Sequence, residues 1–129
     1  MSTASRLILN LTAALITVGG LYDILTPKLP PNHVERCQGN TAALELVRAL
    51  LRALGGCLVA VGIAVLILVN APALREEMWA LWSVLLLVAL AEGLNAWGMY
   101  KVGSPFYFPI AFVMIAAAGV TLGFVARAR

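Results

Sequence analysis

Glu92 and Asn95 stand three residues apart in AEGLNAWGMY, near the end of a long apolar run. That spacing puts both on one face of a helix, so a carboxylate and an amide look toward the same neighbour. An ionised side chain near a membrane centre costs on the order of 3 kcal/mol, and it therefore pairs, takes up a proton or lines water. Partners are available in ELVRALLRALGG, where Glu45, Arg48 and Arg52 follow at i, i+3 and i+7 along one helix face. Asp23 lies just before a proline-rich break. Asp23, Glu45, Arg48, Arg52, Glu92 and Asn95, with the adjacent Trp97 and Tyr100, form the candidate polar network or ligand-binding set.

Three chemistries suit these residue types. The charges can form an ion-pair network that fixes helix register. They can instead line a half-open polar pocket for a lipid-like ligand or a partner membrane protein. In the third, an isomerase-like enzyme, Glu92 passes a proton to an apolar substrate held by Asn95 and Trp97. Arginine pairing would oppose that acid role. The same compensation by Arg48 and Arg52 argues against export of lipophilic cations, which needs an unopposed membrane carboxylate.

Metal and redox chemistry find no support. His33 is the single histidine, sits in a loop and has no ligand spacing with the carboxylates. Cys37 and Cys57 lie roughly 20 Å apart along a helix axis and form no C-x-x-C pair, so neither a disulfide nor a thiol enzyme is expected. No cofactor is called for.

The elements that must carry these residues follow from composition. The 129-residue chain is 62% hydrophobic and 12% charged, more apolar surface than so small a soluble domain can hide. Residues 6–26, 42–70, 77–101 and 106–126 are each long and apolar enough to span a bilayer as helices. Continuous apolarity, without alternation, excludes a membrane β-barrel. The expected fold is all-α, a single domain over residues 1–129 forming an integral membrane bundle of four transmembrane helices. The first run has no small-residue cleavage site before Tyr22 and reads as a retained span.

Pro27, Pro30 and Pro31 end the first helix, and Asn40 or Thr41 caps the second. VGSP breaks the third before the aromatic belt of Phe106, Tyr107 and Phe108. The net charge of +3 comes without a basic, aromatic-interleaved stripe, so membrane lipids are the expected partners and nucleic acid is not. Arg6, Arg75, Arg127 and Arg129 fall on one side, against Lys28, Arg36 and Lys101 on the other, which points to cytoplasmic termini.

Small residues mark expected helix contacts: Gly56, Ala60 and Ala64 in the second span, Ala89, Gly93 and Ala96 or Trp97 in the third, Gly119 and Gly123 in the fourth. The pattern fits packing within one bundle and leaves a homo-oligomer open. Counted inward at 1.5 Å per residue, Asp23 and Glu45 lie about 5 Å deep, Arg48 and Asn95 about 9 Å, and Glu92 and Arg52 about 13 to 15 Å. Matching depth predicts that Arg52, and secondarily Arg48, pairs with Glu92.

The segments LYDILTPKLPPN, ELVRALLRALGGCLVAVGIAV and VGSPFYFPI resemble those of small bacterial four-helix membrane proteins of the DoxX-like group, over most of the chain. Glu45, Arg48, Ala49, Gly55 and Gly56 occupy that group's Glu-x-x-Arg-Ala element and Gly-Gly pair. The further acidic residue that the group tends to carry in its last helix is missing here. The resemblance implies the four-helix fold and a bacterial inner (plasma) membrane, but no activity and no redox role.

Overall fold

The computed structural model describes residues 1–26, 28–71 and 77–128. Pro27, Arg75 and Arg129, all used above, lie outside the described residues. Among the described residues five helices follow in order: α1 (Thr3–Leu25), α2 (Pro31–Arg36), α3 (Thr41–Asn70), α4 (Met78–Val102) and α5 (Tyr107–Ala128). α1, α3, α4 and α5 are long and apolar enough to cross a membrane and coincide with the four expected spans. The protein is an all-α membrane bundle.

Local chemistry sets the helix ends. The Ser2 hydroxyl accepts from the Ser5 amide at 3.2 Å and caps α1, and the Asn40 side chain accepts from the Ala43 amide at 3.1 Å and caps α3. α4 stops at Gly103, whose left-handed φ of 74° lets the Ser104 amide donate to Met99 O at 2.8 Å. The expected plain loop after α1 contains α2, which begins with Pro31 at its first position, where the missing amide hydrogen is no loss. Asn32 Nδ2 donates to Val102 O (3.1 Å) and Ser104 Oγ (2.6 Å), latching α2 over the loop end of the bundle.

Around the bundle α3 packs on α1, α1 on α5 and α5 on α4, while the α3–α4 seam is the loosest. The buried core runs through Leu9, Ile16, Leu58, Val65, Val88 and Val120. Only 28% of the most apolar window of each span is buried, so most of the exposed leucine and valine surface is left for lipid. A Cβ on Gly20 would stand 2.5 Å from the Gly55 carbonyl oxygen, and one on Gly55 would stand 2.5 Å from the Gly20 carbonyl oxygen, so the two backbones touch. Gly62 abuts Thr17 and Ala13 in the same way, and Gly119 and Gly123 receive Leu9 and Leu81. The last two match the expected small-residue face. In α3 the contact face is displaced by one residue: Gly56 and Ala60 are exposed, and so is Gly93 in α4.

These contacts fix an antiparallel register between α1 and α3, Gly20 with Gly55 and Thr17 with Gly62. The register closes at the far end in a polar tie that the sequence did not reveal. Asn10 and Asn70 exchange amide hydrogen bonds at 2.6 and 3.3 Å, and Arg6 Nε donates to Asn70 Oδ1 at 3.1 Å. Ser5 Oγ adds a buried bond to Gly119 O at 2.7 Å.

Candidate intramembrane cavity

Below α2 the four spans diverge around a cavity of about 550 Å³. Its wall is mainly hydrocarbon: Leu15 and Ile16 from α1, Leu54 and Leu58 from α3, Phe112 from α5. Asp23 from α1 and Glu92 and Asn95 from α4 interrupt that wall. Glu92 is only 2% exposed. Asn95 Nδ2 donates to Glu92 Oε2 at 3.3 Å, and Oε1 has no hydrogen-bond partner among the described residues.

The predicted Glu92–Arg52 pair is not formed. Arg52 is exposed, and the hydrogen bond to Glu92 comes from Asn95. Rotation is the physical reason: Leu51, Leu54 and Leu58 are the α3 residues on the cavity, and Arg52, next to Leu51, is turned away and exposed. With Gly55 set against Gly20 and Asp23, Arg52 also lies near the end of α1, roughly two helical turns, or about 10 Å, shallower than the depth count assumed. Equal depths would hold only if α3 entered the bilayer at its first residue, but this helix of 30 residues overhangs the 23-residue α1. Glu45 is accordingly exposed near the start of α3.

Arg48 goes elsewhere. It lines a separate groove of about 470 Å³ near the mouth, with Asp23, Lys28 and Tyr22, where its buried Nε has no hydrogen-bond partner. Trp97 and Tyr100 are 63% and 62% exposed and do not line the cavity. Lys101 Nζ sits 5.8 Å from the Trp97 ring centre, and Tyr100 meets Phe106 edge-on at 5.5 Å, so both aromatics belong to an interfacial belt. Of the eight sequence candidates, Asp23, Glu92 and Asn95 share the cavity.

A second hollow of about 480 Å³ follows the α3–α4 seam and shares Leu51, Leu54, Leu58, Asn95 and Met99 with the first. Its other lining residues include the exposed Cys57, Leu94 and Gly98. The cavity thus adjoins the lipid-facing surface where the helices are least tightly packed.

His33, expected to sit in a loop, lies in α2, is half-buried and borders both hollows. Burial, and then the Arg36 charge beside it, hold its pKa below the usual histidine value. The folded state therefore binds fewer protons than an opened α2 between the lowered value and 6.5. Closure is fully favoured above 6.5 and weakens as the pH falls through the folded value. Hydrogen exchange in α2, corrected for intrinsic rates, is expected to be faster at about pH 5.5 than at about pH 7.5, and His33→Gln should remove the difference. Equal protection at both values would contradict this role.

Among the described residues no three His, Cys, Asp or Glu side chains gather as a metal-ligand set. Comparison with family models, curated proteins and solved structures finds no match to this chain.

Proposed function

We propose that this is a membrane protein of binding or accessory-subunit type, in a bacterial plasma membrane with cytoplasmic termini, whose cavity receives a lipid-like molecule from one leaflet. The observation that carries this reading is the join between a buried Glu92–Asn95 pair and an apolar cavity that borders the loose α3–α4 seam. A carboxylate kept in an apolar bundle without a compensating arginine is a functional feature by default, because the cost of burying it is not recovered within the fold. Pockets for small molecules have volumes of about 300–1,000 Å³ with few polar groups in an apolar wall, and this cavity has that form. Kinship with the DoxX-like group is part of the proposal, resting on the Glu45–Arg48–Gly55–Gly56 pattern.

A second reading has one observation in its favour. Glu92 and Asn95 face the cavity together, the placement that acid–base isomerisation of an apolar substrate requires.

Native mass spectrometry of the chain released from gently solubilised membranes tests the proposal. The native protein is expected to carry a discrete small molecule that Leu54→Trp, which fills the cavity, has lost. Equal adducts on both proteins, or none on either, would refute it. A bound molecule that differs chemically between the native protein and Glu92→Gln would select the catalytic reading.

A further inference from the structure

The ligand's charge can be read from the groups that face the cavity. Asp23 and Glu92 arrive from different helices onto one surface, and among the described residues no lysine or arginine lines it. The described basic side chains near this end are turned away: Arg36 and Arg52 are exposed, Arg48 and Lys28 lie in the outer groove, and Lys101 covers Trp97 on the lipid face. Among the described residues, Tyr22 and His33 are the other titratable groups on the lining, and His33 sits at the α2 end. Glu92 Oε1 is left without a partner on a side chain that is 98% buried, and the open space beside it is the cavity. The compensation that had argued against a lipophilic cation is therefore absent from this wall.

The remaining lining completes the match. Tyr22 and Phe108 bring aromatic rings to the same cavity, and ring faces attract organic cations. Ile16, Leu58 and Phe112 supply hydrocarbon for an alkyl chain. An anionic or phosphate head inside the cavity would meet two carboxylates, with Arg48 and Lys28 on the outer groove and not on the cavity lining, which disfavours it.

We infer that the cavity takes a single-chain cationic amphiphile from the bilayer, with its ammonium between Asp23 and Glu92 and its chain among Ile16, Leu58 and Phe112. This rests on the lipid-binding reading above and specifies the head group. Quaternary ammonium suits the site as well as a primary amine does, because the wall offers charge and ring faces rather than a geometric set of acceptors.

The test uses the full chain in phosphatidylcholine nanodiscs, with radiolabelled decyltrimethylammonium as probe and empty nanodiscs as background. Saturable binding is expected, weakened about tenfold or more by Glu92→Gln and several-fold by Asp23→Asn, since each removes one charge facing the ammonium. Glu92→Asp keeps the charge and should retain most of the affinity; Arg52→Gln, on the surface, should leave it unchanged. Unlabelled decanol and decanoate should compete at least about tenfold more weakly than the unlabelled cation. If decanol or decanoate competes as well as the cation, or if both neutralised variants bind normally, the cation inference fails while the lipid-binding reading stands. If the probe does not bind saturably and neither decanol nor decanoate alters the native protein's melting while sparing Leu54→Trp, both fail. Circular dichroism of each variant in the nanodisc establishes that it is folded; should Glu92→Gln not fold, Asp23→Asn and the competition series decide.

Discussion

Gly55→Ala and Gly20→Ala are each expected to lower the stability of the bundle by about 3 kcal/mol, the upper part of the range for overpacking a close contact. The added methyl would meet backbone, not a yielding side chain: the Gly55 carbonyl oxygen in one case and the Gly20 carbonyl oxygen in the other. Relief requires α1 and α3 to move apart, and this pair makes the most extensive contact in the protein. Gly56→Ala and Gly93→Ala are the controls. A Cβ at either meets nothing within 4 Å, so those variants should be neutral or gain up to about 1 kcal/mol from better helix propensity. Helical content during titration with sodium dodecyl sulfate reads the difference. A Gly56→Ala loss as large as that of Gly55→Ala would move the packing face back to the one read from sequence.

A double-mutant cycle of Glu92→Gln with Arg52→Gln is expected to show additive effects within about 0.5 kcal/mol, as for side chains that share no contact. Glu92→Gln should fold at least as stably as the native chain. The glutamine oxygen can still accept from Asn95, and no arginine is stranded by the change. An ion pair would behave oppositely: removing one partner alone would cost about 3 kcal/mol or more, and removing both would cost less. Coupling above about 1 kcal/mol in the cycle would restore the pair.

The contrast between these substitutions shows which parts of the structure were legible in the sequence. Apolar run length located all four spans, and Ser/Asn caps and glycines act where they commonly act, as at Asn40 and Gly103. That Glu92 points into the bundle was also legible, because its own helix face carries it inward. Helix offset was not. Hydropathy specifies how much of α3 can lie in lipid, but the sliding of α3 along α1 is set by Gly20 against Gly55 and by Asn10 with Asn70. These contacts join residues far apart in the chain. An offset of about two turns brings Arg52 level with the end of α1 while leaving every span intact. Rotation was equally hidden in α3, where Gly55 and Gly56 are chemically alike and only one faces α1. α2 escaped notice because six residues carry too little periodicity to announce a helix, and its latch depends on Asn32 meeting Ser104 across the bundle mouth.

An electron-density map of the protein crystallised from a lipid phase would decide between an open binding cavity and a closed ionic core. The expected map shows elongated density inside the cavity, running from Ile16, Leu58 and Phe112 to Glu92, with Asn95 still bonded to the carboxylate and Arg52 outside. A collapsed cavity with the Arg52 or Arg48 guanidinium seated on Glu92 would contradict it.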